Sequence, residues 1–558
     1  MSLIRKRVIA AGLASLWLTA ASAPAAAAAL PSSETEARVP FSLAARPSRP
    51  ELRGVPLSLS RPWALAGDRD TDWTALSADA VSRPRAKKLR AWIELATFST
   101  AITANYWTSN SFPEDRDFRL DLGSQITRIF FFEGWRFDSN QFSLNSSHIL
   151  GGAAYYQFGR SNHLSWFYSW MMAVAGSTWW EVIGEPKEVI SINDQIMTGL
   201  GGFAAGEPWY QIGSFLCHQP GIILRGLSFL NPVVKFNNWL DRRDPAAKKY
   251  IQPGWHELTL FAGGRRLTSA GAEAETDAYF GFQARLLGLP EYGMPGEVRR
   301  AVKDTYSSEM TLDYAVRGGH AEETRFTTKA VTWGHLVQKI SDSGEGYCLI
   351  LGLGSSFELF KKRPLADYDA NPVPVKTDLE RLHLGEPRNF TDKLAILHLA
   401  GPVLDWTTFR RDLRLRTVVE AYFDFALVDS TAINAYSRLH DIAGLKTIVF
   451  YYGYYYGFGG SLSASASLDY KNLQFRGLAT FSGWGSADFL DRFQAEVTNN
   501  AHLSDTRSRC LFGVGWKLPG TPLKFFADIE GVRRWGRLAD VRAHRLETKT
   551  YAGLAFYY

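Results

Sequence analysis

Hydrophobic and polar positions alternate one by one through much of the second half of this chain. Between residues 461 and 470 the even positions are leucine, alanine or tyrosine, and the odd positions are serine or aspartate. The segments 412–428 and 473–485 follow the same period. Successive side chains of a β-strand point to opposite faces, so this period predicts strands with one apolar face and one polar face.

About twelve segments of this kind follow residue 255. They lie near 256–266, 277–287, 309–317, 323–338, 347–361, 393–402, 412–428, 455–470, 473–485, 506–517, 522–534 and 546–558. An even number of antiparallel strands, each apolar on one side and polar on the other, is typical of a single-chain outer-membrane barrel. We therefore predict a mainly β membrane protein, an antiparallel outer-membrane β-barrel of 12 to 14 strands. The joins 429–446 and 486–505 would be external loops.

The last of these segments ends in the residues YAGLAFYY. Ala552, Leu554, Phe556 and Tyr558 share the face that is expected to meet lipid. Outer-membrane lipids are therefore one expected partner, and the barrel-assembly machinery, through this C-terminal aromatic strand, is another. The aromatic run 451–456, YYGYYY, is interpreted as part of an interfacial girdle in preference to a platform for sugars.

The opposite faces of the predicted strands carry charges of both signs. The residues assigned to the lumen-facing side are Arg414, Arg416, Glu420, Asp424, Lys524, Asp528 and Glu530. Mixed charge on inward faces hydrates a pore or binds a plug, and by itself it gives no ion preference.

The first residues have the composition of a secretory signal peptide. Arg5, Lys6 and Arg7 precede an apolar stretch and an alanine-rich segment, so residues 1–29 are predicted to be cleaved on export. Residues 30–85 are proline-rich and are predicted to form a flexible leader. With the predicted barrel, this start places the protein in the bacterial outer membrane.

The sequence of residues 86–250 predicts helices. The barrel is predicted to follow over residues 251–558. The run 164–183 is almost unbroken apolar and aromatic sequence. A helix that crosses a membrane would normally be stopped in the inner membrane during export, so we expect a helix buried on all sides. The helical module is predicted to plug the barrel or to pack against it.

A few ionisable residues interrupt these apolar helices and are the candidates for chemistry. His148, Glu181, Glu185 and Asp194 form a candidate catalytic site. In that site His148 or Glu181 would act as a general base on water, and Asp194 would orient it. Glu181 and Glu185 are four residues apart, so both would lie on one face of a continuous helix.

A structural interpretation of the same region stays open. Arg160, Ser191 and Glu207 complete a predicted structural polar cluster. Arg160 would pair with a carboxylate, because a buried charge without an opposite partner is costly. Ser191 would cap a helix, with Asp194 at the third position after it. A serine nucleophile at Ser177 is disfavoured because no G-x-S-x-G elbow is present.

The order of polar and small residues in this region resembles a known family. The resemblance rests on His148, Gly152, Tyr155, Tyr156, Arg160, Ser165, Trp166, Gly176, Ser177, Trp180, Glu181, Glu185, Ser191, Asp194, Gly201, Gly202, Gly206, Glu207, Asn231 and Pro232. Over about residues 130–245 the chain resembles the bacterial family called domain of unknown function 3943. The resemblance implies an envelope location and a common core, and it implies no reaction.

The distribution of charge and the absence of metal-binding motifs bear on possible partners and cofactors. The net charge of +6 is spread along the chain, so nothing favours nucleic acid as a partner. H-x-x-x-H and E-x-x-H patterns are absent near the acids, so no metal and no cofactor are assigned. Two hypotheses follow. The protein is a structural or transport component of the envelope, or it is an integral outer-membrane enzyme acting on lipid or another envelope substrate through the His/Glu/Asp cluster.

Overall fold

The computed structural model describes nine stretches of the chain. They are residues 85–109, 118–131, 134–219, 222–242, 254–269, 273–363, 392–440, 444–487 and 501–558. The predicted signal peptide and all of the predicted leader before residue 85 lie outside the described residues.

Helices occupy the first part of the described chain. They are α1 (Lys88–Ser109), α2 (Leu122–Phe130), α3 (Phe142–Ser161), α4 (Trp166–Trp179), α5 (Ile192–Asp194), α6 (Gly202–His218), α7 (Ile222–Leu227) and α8 (Pro232–Leu240). π-helical turns at Trp180–Gly184 and Gln195–Leu200 follow α4 and α5, and a 3-10 turn, Ser228–Leu230, precedes α8. The short strands β1 (Trp135–Arg136) and β2 (Ile190–Ser191) pair in parallel.

Several of these helices begin at residues that satisfy their first backbone N–H groups. Asp121 accepts the N–H of Ser124 at the start of α2. Asn231 accepts the N–H of Val234 and is followed by Pro232 at the first position of α8. Such capping side chains fix where a helix starts.

The second part of the chain is a single large sheet. Its strands are β3 (Trp255–Ser269), β4 (Glu275–Leu287), β5 (Gly296–Val302), β6 (Ser307–Arg317), β7 (His320–Ile340), β8 (Gly346–Lys362), β9 (Asp392–Arg410), β10 (Leu413–Asp429), β11 (Tyr454–Tyr470), β12 (Leu473–Ser486), β13 (Leu503–Lys517), β14 (Leu523–Leu538) and β15 (Val541–Tyr557). Two helices, α9 (Ile433–Leu439) and α10 (Thr447–Tyr452), lie between β10 and β11.

The sheet closes into a twelve-stranded antiparallel barrel. β15 pairs with β3, and β7 pairs with β8, so the ladder returns to its start. β5 pairs only with residues 334–340 of β7 and extends the wall beside the ring. The predicted outer-membrane-type barrel is confirmed, and the sequence missed β5. The predicted segment 393–402 is also too short, because β9 continues through Gly401 and Pro402 after an irregularity in its pairing with β8.

The charged faces of the strands point into the barrel. A cavity of about 330 Å³ inside the ring is lined by residues of most strands, among them Ser463 and Arg509. Because side chains alternate, the residues next to the lining positions face outward. Outward-facing Leu462, Phe481 and Phe512 are 55 %, 53 % and 54 % exposed. This exposed apolar surface is the band expected of a barrel in a membrane.

The helical module lies against the outer wall of the barrel. Nδ2 of Asn145 in α3 donates to the hydroxyl of Tyr454 at 2.8 Å and to that of Tyr456. Phe137 stacks on Phe425, with 6.3 Å between ring centroids. The three barrel residues alternate with lumen-lining positions of β10 and β11 and therefore face outward. Of the two predicted arrangements, the structure shows packing against the barrel, because these contacts of the module are with outward-facing residues of the wall.

The contacts on the outer wall run obliquely from one rim of the barrel to the other. Phe215 in α6 packs on His256 near the start of β3, with 4.8 Å between ring centroids. Ala330, in the middle of β7, belongs to a buried cluster with Ala91 and Tyr155 of the module. Tyr454 stands at the opposite rim, where β11 begins. The module thus covers a belt that crosses the full height of the wall.

The apolar run 164–183 forms α4 and the turn after it, and it is not buried on all sides. Ser169, Met172 and Ala173 face the other helices and are buried. Phe167 and Tyr168 on the far side are 48 % and 54 % exposed. The prediction of a fully buried helix is wrong, because α4 lies in a layer on a convex wall and only one of its sides has a protein neighbour. None of the described helices combines the length and the apolarity that a membrane crossing requires.

The tyrosines at the start of β11 do not form the predicted girdle. Tyr454 and Tyr456 are buried under Asn145. Tyr455 points to the other face, where its hydroxyl donates to Asp505 at 3.1 Å. The interpretation of these three side chains as an interfacial girdle is therefore wrong. Tyr454 and Tyr456 bind the module on one side of the wall, and Tyr455 binds Asp505 on the other.

Candidate functional site

Three of the four candidate catalytic residues meet where α3, α5 and the turn after α4 come together. Nε2 of His148 lies 3.4 Å from Oδ1 of Asp194. Oε2 of Glu181 accepts the backbone N–H of Ser191 at 2.7 Å. Oγ of Ser191 in turn accepts the N–H of Asp194 at 3.2 Å, so Ser191 is the N-cap of α5.

Asn193 connects these groups and was not among the sequence candidates. Its Oδ1 accepts the N–H of Asp138 at 2.8 Å and the hydroxyl of Ser191 at 3.0 Å. Its Nδ2 donates to Asp194 at 2.8 Å. No motif marks this asparagine in the sequence, because its three partners lie both beside it and 55 residues away.

Arg128 in α2 is a second residue that sequence reasoning missed. The side chain is completely buried, yet its donors point to backbone carbonyls. Nε donates to Glu188 at 2.5 Å, Nη1 to Val182 at 3.2 Å, and Nη2 to Glu185 at 2.9 Å and to Glu181. Carbonyls at the end of a helix lack helical partners. Arg128 supplies donors to this end, so it stabilises the turn that carries Glu181.

Glu185 is not brought into the cluster on the same face as Glu181. The segment between them is π-helical, and Glu185 itself leaves the helix with φ −118° and ψ 60°. Its N–H donates to the carbonyl of Trp180. The expectation of one shared helical face is therefore wrong, because the helix ends at Gly184, before Glu185.

A second polar group joins α3 to α6. Nη2 of Arg160 donates to Oε1 of Glu207 at 2.9 Å, and Tyr156 donates its hydroxyl to the other oxygen. Gln211 also donates to Glu207 at 2.7 Å. Glu207 is completely buried, so this carboxylate needs the compensation that its three donors provide. Arg160 also lies 3.6 Å from Asp304, which stands in the wall between β5 and β6.

Burial shifts the titration of the first cluster. Burial, followed by the nearby carboxyl of Asp194, raises the pKa of Glu181 well above its usual range. Burial, followed by Asp138, likewise raises the pKa of Asp194. Burial lowers the pKa of His148 to about 4. All three shifts favour the uncharged forms of these side chains.

Of the residues in this first cluster, His148 is the candidate for acid–base chemistry. With Nε2 of His148 directed to Asp194, Nδ1 is the ring nitrogen that would take a proton from water. Ser177 donates to the backbone carbonyl of Asp194 at 3.4 Å and not to an imidazole. Among the residues that the structure describes, no group of three His, Cys, Asp or Glu could hold a metal ion.

The seven residues assigned to the lumen have partners inside the barrel. Six of them line the cavity: Arg414, Arg416, Glu420, Lys524, Asp528 and Glu530. Asp424 lies on the same face of β10, where Oδ1 contacts Nδ1 of His398 at 2.6 Å. Arg416 donates to Asp405 at 2.7 Å, and Lys524 donates to Gln474 at 2.9 Å.

Ion pairs cross the lumen between strands that are not neighbours in the sheet. These pairs are Arg325–Glu530 at 3.1 Å, Lys329–Glu420 at 2.6 Å, Arg507–Glu358 at 2.9 Å, Lys549–Glu323 at 2.7 Å, Lys362–Glu547 and Arg534–Asp392. They connect β7 to β10, β14 and β15, and β8 and β9 to β13, β14 and β15. Ion pairs therefore connect strands on different sides of the lumen.

These features define an outer-membrane β-barrel that carries a helical module on its outer wall. Residues 134–231 match the family model of the Domain of unknown function (DUF3943), which confirms the resemblance in the helical region. The matched residues include both polar clusters, from His148 to Glu207. No curated protein matches this chain.

Solved structures similar to this chain are outer-membrane proteins. OmpTdeltaL8, a loop-deletion mutant of OmpT from Vibrio cholerae, is 7 % identical, with a TM-score of 0.21, over 55 % of this chain and 99 % of that one. The Pseudomonas putida toluene transporter TodX is 8 % identical, with a TM-score of 0.21, over 54 % and 88 %. The outer membrane protease OmpT from Escherichia coli is 8 % identical, with a TM-score of 0.17, over 56 % and 99 %. Likenesses this low carry no argument about function.

Proposed function

We propose that this protein is a structural component of the outer membrane and that its barrel is a closed scaffold for the helical module. The observation that supports this proposal is the set of ion pairs across the lumen. Arg325 and Glu530, for example, join β7 to β14 with both side chains buried. An open diffusion channel needs a continuous watery path, and these pairs stand across it.

The same pairs explain why the barrel would hold its shape. Removing one partner of a buried pair costs about 3–5 kcal/mol, because the other charge is left without compensation. Glu530 has three donors, since Arg509 and Tyr551 also bind it. These ion pairs therefore hold the strands together across the lumen and stabilise the wall on which the module packs.

Conductance of the purified full-length protein in planar bilayers tests the closed scaffold. We expect no steady open-channel current from the wild type. The double variant Arg325→Ala/Glu530→Ala should admit more current, because it removes the bridge between β7 and β14. Arg533→Ala, an exposed charge on β14, is the matched control and should behave as the wild type does. A large steady current from the wild type would contradict the proposal.

Export and assembly are part of the same proposal. The composition of residues 1–29 supports cleavage of a signal peptide on export. The apolar outward face of β15, with Leu554 39 % and Phe556 45 % exposed, supports a role for this strand in recognition by the barrel-assembly machinery. N-terminal sequencing of protein taken from outer membranes would test the cleavage.

The contact between His148 and Asp194 favours a second candidate, an enzyme acting on an envelope lipid. His148 is the accessible member of the pair, with 21 % of its side chain exposed against 6 % for Asp194. In this role Nδ1 of His148 would take the proton from a water molecule that attacks an ester, while Asp194 holds the imidazole.

Lipid mass spectrometry separates the two candidates. Outer membranes would carry equal, heat-modifiable amounts of the wild type, His148→Gln or the control His218→Gln, which changes an exposed histidine of α6. A lipid product that disappears only with His148→Gln would establish the enzyme. Identical profiles would remove it and leave the scaffold.

A further inference from the structure

Several exposed helix faces of the module are apolar, while Arg128, Arg160 and Glu207 lie inside it. The clearest case is α2, whose Leu122, Ile126 and Phe130 lie on one side at four-residue spacing and are 78 %, 43 % and 78 % exposed. Arg128 on the inner side of the same helix is completely buried. A helix on the surface of a water-soluble protein has the opposite arrangement, with its apolar stripe facing the core.

Three other helices repeat this arrangement. Their exposed large apolar residues are Leu89, Trp92 and Ile93 in α1, Phe167, Tyr168 and Met171 in α4, and Phe236, Trp239 and Leu240 in α8. Between residues 89 and 104 the exposed positions of α1 carry no charge. Soluble monomers rarely expose contiguous apolar surface on this scale.

The buried charges of the module are paired with protein groups and do not depend on water for their hydrogen bonds. Arg160 and Glu207 pair inside it. Arg128 donates to carbonyls of the non-helical segment after α4, which water would otherwise satisfy. In hydrocarbon every backbone polar group must be satisfied by protein, and ionisable groups face the interior and pair with one another.

The position of the module beside the barrel is consistent with the same environment. On β10, Phe423 is 56 % exposed, while Phe425, two residues further on the same outward face, is buried under the module. On β3, Leu260 is 52 % exposed and Leu258 is buried. The outer surface of the module therefore continues the apolar band of the barrel sideways.

We infer that the module lies within the membrane and that its outer surface contacts the acyl chains of outer-membrane lipids. The module replaces lipid along an oblique belt of the wall, and its helices lie beside the barrel without crossing the bilayer themselves. This inference is independent of whether the lumen conducts.

Site-directed fluorescence in lipid vesicles tests this arrangement. In the full-length chain without its three native cysteines, Ile126→Cys and Phe236→Cys would each carry a bimane label. Phe512→Cys marks the lipid-facing barrel wall, and Arg411→Cys marks water, because the Arg411 side chain at the turn before β10 is 88 % exposed. Heat-modifiability of each variant shows that the barrel has folded.

We expect nitroxide-labelled lipids to quench the labels at 126 and 236 as strongly as the label at 512. Aqueous iodide should quench only the label at 411. Iodide quenching at 126 and 236 equal to that at 411 would overturn the inference. Protection from both quenchers would also overturn it, since residues 1–84 or a second copy of the chain would then cover this surface.

Discussion

The barrel and the helical module both bury a set of paired charges and present apolar side chains outward, but they reach this arrangement through contacts at different separations along the sequence. In the barrel, Ser461 and Leu462 face opposite sides because they are neighbours on a strand. In the module, Arg128 and the carbonyl of Glu188 meet across 60 residues. A strand period of two therefore specifies the inner and outer faces locally, whereas the inner and outer faces of a helical layer depend on which other elements pack against it.

Breaking the charge network of the lumen should destabilise the protein more than any other change considered below. Glu530→Ala leaves Arg325 and Arg509 without their shared carboxylate, and removal of one buried partner should cost about 3–5 kcal/mol. We expect a lower temperature for the heat-modifiable transition of the barrel. Adding Arg325→Ala should recover part of the loss, and full additivity of the two changes would contradict a direct pair.

A smaller effect is expected from the central arginine of the module. Arg128→Leu leaves several carbonyls without donors, and unmade buried hydrogen bonds should destabilise the module by about 3 kcal/mol in total. Limited proteolysis should cut the module early, while the barrel keeps its heat-modifiable migration. Arg119→Leu, an exposed arginine just before α2, is the control. Equal loss of barrel and module would show that the two regions fold as one unit.

The contact between the two regions should respond to Asn145. Asn145→Leu removes its donors to Tyr454 and Tyr456 and leaves two buried hydroxyls with fewer partners, a cost of about 1–3 kcal/mol. Hydrogen exchange should increase in α3 and not in β12 or β13. Asn105→Leu on the exposed side of α1 is the comparison, and similar exchange in both variants would argue against this docking contact.

The smallest effect is expected at Glu181 near neutral pH. Burial raises the pKa of Glu181 and so favours its uncharged form in the folded module, and the amide oxygen of Glu181→Gln can accept the N–H of Ser191 in the same way. A raised pKa in the folded state means that stability is lost as pH rises through it. Proteolysis of the wild-type module should therefore accelerate as the pH rises above the usual range of a glutamate side chain. The variant should show a flatter profile, and identical profiles would exclude Glu181 as the cause.

Sequence reasoning was strong where structure is local. The segment 473–485 was predicted from alternation, and it corresponds to β12. β5 was missed because it is short and pairs with one strand only. In the module, the side chains of His148 and Asp194 meet although 46 residues separate them, and no spacing rule predicts such a contact. Asn193 and Arg128 carried no local signal at all.

The residue pattern alone was enough to predict a barrel of about twelve strands and the inward faces of strands such as β10 and β14. It was enough because a strand exposes its pattern every two residues and hairpins join neighbours. The three-dimensional structure was needed to show that the helices pack outside the wall and that Tyr454 and Tyr456 bind Asn145. It was also needed to show that the helix carrying Glu181 ends before Glu185. These contacts depend on which surfaces meet across long stretches of sequence. The apolar pattern of a helix is the same whether the helix packs in a lumen, against a wall or against lipid.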